Sequence, residues 1–227
     1  IGGQDDGALT AFEVATGEVR WNWDGDGPAY GSPIVVDLEE VRQVVTFTQE
    51  HMVGVALETG ALLWSRPFVT QSTTTSQTPL IHNGHIIQAG RGNGITLFRV
   101  VREGNAWTTE DIWHNDEVSL HMTNGVVVEN VLYGLSHLNS GQYFGLDLET
   151  GEVLWTSDPR QADNASILGV GGTIVSLEDD AELLVLRGSR TQFEPVKRYD
   201  VATSATWAQP TLQGNRIYIK DVSSLTL

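Results

Sequence analysis

The chain has 227 residues with 29 acidic and 13 basic side chains, a formal charge of −16 that disfavours any broad footprint for nucleic acid or an anionic membrane. It has no cysteine, which excludes disulfides, thiolate metal sites, cysteine nucleophiles and covalent c-type haem, and leaves cytoplasm and periplasm both open. No run approaches the roughly 18 consecutive apolar residues of a membrane helix, so no transmembrane segment is expected.

The first predicted element is a strand pair, Leu9-Thr-Ala-Phe-Glu-Val-Ala-Thr-Gly-Glu-Val-Arg-Trp21: a strand, a Thr-Gly turn, a second strand and a terminal Trp. Alternation puts Leu9, Ala11 and Glu13 on one face and Thr10, Phe12 and Val14 on the other. Gly in the turn supplies the positive φ that a tight hairpin requires. Ser32-Pro33-Ile34-Val35-Val36 then begins an innermost strand, with Pro at its first position, where no ladder donor is lost. A second strand runs from Val41 to Thr48. The opening phrase returns as Met52-Val-Gly-Val-Ala-Leu-Glu-Thr-Gly-Ala-Leu-Leu-Trp64, its Thr 43 positions after the first.

Gln77 to Ile81 and His85 to Ala89 are the next inner strands. A longer hairpin through Gly104-Asn105 ends at Trp113. Tyr143-Phe-Gly-Leu-Asp-Leu-Glu-Thr-Gly-Glu-Val-Leu-Trp155 is the third copy of the phrase, 91 positions after the second. Ala181 to Leu186 and Val196 to Tyr199 flank a turn near Gly188, with Tyr199 in the Trp place. Ala208 to Leu212 and Arg216 to Lys220 close the series. A period of about 45 residues with hairpin chemistry in each unit marks a β-propeller blade. The expected fold is all-β, with four-stranded antiparallel blades near 31–68, 76–115, 122–157 and 165–201. Terminal half-blades at 1–23 and 206–227 bring the total to about five blades' worth, in one domain over 1–227. The halves could complete each other. The small third position of the phrase, Ala11, Gly54 or Gly145, is expected to let a neighbouring sheet approach. Trp21, Trp64, Trp113 and Trp155 are expected to dock between blades, where a large ring finds apolar cover.

These phrases, and the Ser-Pro strand that follows, resemble the PQQ-like propeller repeat, also called the quinoprotein-like tryptophan-docking repeat. The resemblance implies a ring of roughly seven or eight blades, of which this chain is a part. The chain opens at Ile1 inside a repeat, without Met or signal peptide, and reads as a partial sequence. The family includes quinoprotein alcohol dehydrogenases and a lipoprotein that helps assemble outer-membrane β-barrels. It therefore implies a bacterial periplasmic or secreted location. The dehydrogenases set adjacent cysteines against the quinone, and this chain has none. Nor does it show their calcium-ligand and catalytic-aspartate arrangement. The expectation is a non-catalytic binding or protein-interaction scaffold without a cofactor. A PQQ- and calcium-dependent oxidoreductase, or a relic of one, is the alternative, and a carbohydrate- or peptide-binding module the second. No catalytic residue is assigned.

In a propeller, the loops entering each innermost strand and those joining second to third strands share one face. Here the entering loops are Gln71–Gln77, His114–Met122, Ser157–Ser166 and Ala202–Trp207. The joining loops are Gln49–His51, Gly90–Asn93, Ser136–Gly141 and Glu178–Asp180. Arg91, His121, His137 and Trp207 are thus the candidate ligand-binding residues, with Asn139 beside them, since Arg and an aromatic suit an anionic or flat ligand. The plainer reading is a hydrated funnel whose polar groups satisfy loop backbone. No metal site is expected: the six histidines form no compact ligand pair, and His82 and His85 span an Asn83-Gly84 turn. Asp5-Asp6, Asp24-Gly-Asp26 and Glu178-Asp179-Asp180 read as solvated acidic turns rather than calcium loops. Gly90-Arg-Gly-Asn-Gly94 reads as a strand connection, since no helix follows to hold a phosphate. Asn164-Ala165-Ser166 fits a glycosylation acceptor, a pattern frequent by chance.

Overall fold

The computed structural model describes residues 7–71 and 75–227. Asp5-Asp6, and the part of the Gln71–Gln77 loop at 72–74, lie outside the described residues. The chain divides into two compact units, Ile1–His114 and Asn115–Leu227.

Among the described residues, the first unit holds three sheets. The first pairs β1 (Leu9–Phe12) with β2 (Val19–Trp23). The second runs β3 (Ile34–Leu38), β4 (Val41–Phe47), β5 (His51–Ala56) and β6 (Leu62–Pro67) in sequence order. The third, equally sequential, runs β7 (Leu80–His82), β8 (His85–Ala89), β9 (Ile95–Glu103) and β10 (Ala106–Asn115), the last running to the boundary between the units. The second unit also holds three. They are β11 (Val126–Val128) to β12 (Val131–Ser136), β13 (Gln142–Asp147) and β14 (Val153–Thr156); then β15 (Ala165–Val170) to β16 (Thr173–Glu178), β17 (Glu182–Arg187) and β18 (Pro195–Asp200); then β19 (Thr211–Gln213), β20 (Arg216–Lys220) and β21 (Leu225–Thr226). Each sheet is an antiparallel meander, the architecture of propeller blades. Pro33, Pro79 and Pro210 stand just before β3, β7 and β19 rather than inside them. There, the missing N–H costs the ladder nothing.

The repeated phrase folds the same way each time. Glu13, Ala56 and Asp147 donate their amides to Glu18, Ala61 and Glu152, enclosing four residues. The hairpin is therefore wider than the tight turn expected from Thr-Gly. Gly17, Gly60 and Gly151 close it at φ of 76, 71 and 77°, a region open to Gly. Thr16, Thr59 and Thr150 accept the amide two residues ahead through Oγ1, which explains Thr before Gly. A register shift follows Ala11, Gly54 and Gly145, a bulge the alternation pattern did not reveal.

Those three residues pair directly with Trp21, Trp64 and Trp155. A Cβ at Gly145 would meet Trp155 at 2.7 Å, and one at Gly54 would collide with Trp64 and the Gln43 amide. The small residue makes room for the indole of its own sheet, not for a neighbouring sheet as the sequence reading had it. The physical reason is the register: the Trp lies directly across the ladder.

Cores form where sheets face each other inside a unit. Val45, Phe47, Met52 and Trp64 meet Ile86, Phe98 and Val100 in the first. Val131, Tyr133, Leu135 and Tyr143 meet Ile167, Ile174, Leu184 and Leu186 in the second. Trp21 Nε1 donates to the Leu57 carbonyl at 2.9 Å, and Trp155 Nε1 to the Ser189 carbonyl at 2.8 Å, each in the turn of the following sheet. Trp64 differs. It is 3% exposed, donates at 2.8 Å to Gln43 of its own sheet and stands edge-on to Phe98 of the next. The following sheet carries the long β9–β10 hairpin in place of a Thr-Gly turn, and the buried Gln43 supplies the acceptor instead. Trp113 is half-buried on β10, and Tyr199 is exposed on β18.

Candidate functional site

In a meander, connections after even strands all leave from one end of the sheets. In each unit these loops are laced to one another. In the first, Asp26 is 9% exposed and accepts from Thr48 Oγ1 at 2.6 Å, His51 Nδ1 at 2.9 Å, and the Gly27 and Glu50 amides. Burial alone would push this carboxyl up. The bonds from Thr48, His51 and the two amides outweigh it and hold the group below the usual carboxylate range. The Tyr30 and Gly31 amides donate to the Thr75 carbonyl, and Asn93 Nδ2 donates to the Val69 carbonyl.

In the second unit the lacing runs loop to loop. Ser119 N reaches Ser136 Oγ, Ala165 N reaches Thr123 Oγ1, and Gln161 N reaches the Gly141 carbonyl. Asn164 and Asp179 exchange bonds at 3.0 Å, Thr206 bonds the Asp179 and Glu178 carbonyls, and Val222 N reaches Ser204. Glu178 anchors this row from beneath. It is 1% exposed and accepts from the Tyr143 hydroxyl at 2.6 Å and from Arg198 at 3.3 Å. Arg198 also binds Glu182 and Gln161, and Tyr143 shares its hydroxyl with Ser176. Burial pushes the Glu178 carboxyl up to about 7 against the Tyr143 bond and Arg198, with Glu182 adding repulsion. Burial also raises Tyr143 well above an ordinary phenol, with Glu178 assisting.

Two acidic runs are therefore corrected. Asp26 and Glu178 are buried anchors, not solvated turn residues, because each has donors converging on it. Spacing gave no signal of this, since the donors come from other strands and loops. The sequence candidates are placed as follows. His121 and His137 come together, with ring centroids 5.6 Å apart and planes at 60°. Trp207 is 58% exposed in the β18–β19 connection, and Met122, 53% exposed, follows His121. Arg91 is exposed in the β8–β9 connection of the first unit. That connection is a turn, closed by Asn93 N on the Gly90 carbonyl, with no helix after it. Asn83 and Gly84, at φ of 49 and 77°, form the turn between His82 and His85.

A groove of about 430 Å³ lies between the β12–β13 connection and the β14–β15 connection. Asn139, Ser140, Gln142, Pro159 and Arg160 line it. A second lobe of about 220 Å³ shares Ser140 and Arg160 and is completed by Ala162 and Asp163. Sequence reasoning placed Asn139 near the candidates but missed Arg160; no local pattern marked it.

Among the described residues, no three His, Asp or Glu side chains converge to hold a metal ion. No helix among them is long and apolar enough to cross a membrane.

A family model described as "Outer membrane protein assembly factor BamB" matches residues 3–157, about two thirds of the chain. The crystal structure of BamB from Moraxella catarrhalis is similar at 16% identity and a TM-score of 0.63, over 97% of this chain and 75% of that one. The computationally designed Ika4 protein gives 13% identity and a TM-score of 0.45, over 65% of this chain and 86% of that one. No curated protein sequence matches significantly. Repeat, meander sheets and family match agree: the chain belongs to the PQQ-like β-propeller family of the outer-membrane protein assembly factor BamB.

Proposed function

We propose that the chain is a non-catalytic, cofactor-free scaffold that binds partner proteins in the periplasm and serves the assembly of outer-membrane proteins. The observation that carries this reading is the family match to an assembly factor over residues 3–157. The laced loops support it. Even-strand connections tied by side-chain-to-backbone bonds form a rigid surface, and rigidity lowers the ordering cost of docking. Trp207 and Met122 offer apolar contact on that surface in the second unit, and exposed aromatics are common anchors at interfaces.

The test is site-specific photo-crosslinking in the native envelope. Probes replace Met122 or Trp207 on the loop end, or Glu40 or Glu129 on the opposite turns. The reading expects adducts with an outer-membrane assembly protein from the first pair. Adducts from the opposite turns alone, or from no position, would contradict it.

A further inference from the structure

The groove beside Arg160 is built rather than incidental. Its two walls are held together by backbone. Gln161 N donates to the Gly141 carbonyl at 3.0 Å. A Cβ on Gly141 would run into the Ala162 carbonyl, so the two connections approach as only Gly allows. The amides of the floor are engaged: Asn139 Nδ2 donates to Gln142 Oε1 at 2.6 Å, and Gln142 Nε2 to the Ser157 carbonyl at 2.7 Å. Arg160 sits at φ 62°, a left-handed conformation uncommon for a residue with a side chain.

Arg160 also differs from its neighbours in charge pairing. In the same unit Arg187, Arg190 and Arg198 each have a carboxylate partner, Glu194, Asp147 and Glu178 respectively; Arg216, on β20 and outside the groove, has none among the described residues. Arg160 has none among the described residues, although it is exposed and lines both lobes. A guanidinium fork fits a carboxylate or a phosphate. The surroundings decide between them. Asp163 lines the second lobe, Asp158 is two residues away, and the chain carries −16 overall. A dianion or polyanion meets more repulsion there than one carboxylate with hydrogen-bond donors beyond it. The remaining acceptor groups, the Asn139 carbonyl oxygen, the Ser140 hydroxyl and the Asp163 carboxylate, suit the N–H groups of an extended peptide.

We propose that this groove takes a single carboxylate of an extended segment of a partner protein, with Arg160 as counter-ion and Asp163 receiving a donor of the same segment. The proposal rests on the reading of the loop end as a protein-docking surface and names the chemistry it recognises there. The carboxylate comes from an acidic side chain or from a chain terminus.

The test is an NMR titration of the isotope-labelled protein. The probes are N-acetyl-aspartate N-methylamide for a side-chain carboxylate and N-acetyl-glycyl-glycine for a terminal one. N-acetyl-glycyl-glycinamide is the uncharged control, and inorganic phosphate is the dianion. Saturable shifts at Asn139, Ser140, Gln142 and Arg160 are expected with at least one carboxylate probe, and the tighter probe identifies the source. The control and phosphate bind more weakly. Arg160→Gln weakens binding about tenfold or more, as loss of a charge-assisted bond does. Asp163→Asn weakens binding less than Arg160→Gln does, since its carboxamide oxygen still accepts an N–H, and amide shifts unchanged away from the groove separate either loss from misfolding. Shifts that are absent with both carboxylate probes, equal with the amide, or unchanged in Arg160→Gln overturn the proposal. Such a failure leaves crosslinks from Met122 and Trp207 untouched, so it is distinguishable from failure of the scaffold reading.

Discussion

Each copy of the repeated phrase assigns separate work to its residues. Thr caps an amide, Gly takes the left-handed position, the small third residue accepts the indole, and Trp covers the seam between sheets. The indole is the costliest to remove. Trp64→Ala removes a ring that is 3% exposed, together with the partner of the buried Gln43 amide. A loss of about 3–5 kcal/mol in a denaturant unfolding curve is expected for such a truncation. Gly54→Ala tests the same packing from the other side. It adds only one methyl group, but that group collides with Trp64 and Gln43, and overpacking costs about 1–3 kcal/mol. A loss under about 0.5 kcal/mol in both variants would mean that the indole is not held there. Only part of this division was legible in the sequence. Gly17, Gly60 and Gly151 announced their φ through the turn, and Trp announced burial through its size. The role of Gly54 and Gly145 was misassigned because register, not composition, decides what lies opposite a residue.

Strands and their order were legible because inner strands are apolar, hairpins carry Gly or Asn, and the phrase repeats. The anchors between elements were not. Asp26 and Glu178 look alike in sequence, each within an acidic run, yet they titrate in opposite directions. Asp26 is held low by its donors, so its contribution is present above pH about 4 and lost on acidification below that. Glu178 is raised from 4.5 to about 7 by burial. In the intermediate range the folded chain keeps a proton that the unfolded chain releases. The Glu178 contribution is therefore fullest below about pH 4.5 and is lost as pH rises through about 7. Unfolding curves from about pH 5 to about pH 8 should show declining stability for the native sequence and a flatter profile for Glu178→Gln. Gln keeps an acceptor for Tyr143 but cannot ionise. Identical slopes in the two proteins would remove Glu178 as the cause. The groove was illegible for a related reason: Arg160 and Asn139 are 21 positions apart, and their loops are joined by contacts that no local pattern marks, the approach of Gly141 to Ala162 and the bonds from Gln161 and Gln142.

The repeat and the meander sheets identify the family of the molecule but leave its activity to be argued. The Trp positions of the repeat are accounted for by packing. On the scaffold reading, adding PQQ and calcium to the protein should give no alcohol- or sugar-dependent dye reduction. Saturable quinone binding followed by turnover would contradict the scaffold reading outright. The measurement closest to the central claim is the abundance of outer-membrane β-barrel proteins in the organism of origin. It is quantified after depletion of the protein and after resupply of the native form or of Trp207→Ala. The account predicts that barrel levels fall on depletion, recover fully with the native form and recover only in part with Trp207→Ala. Unchanged barrel levels on depletion would contradict it.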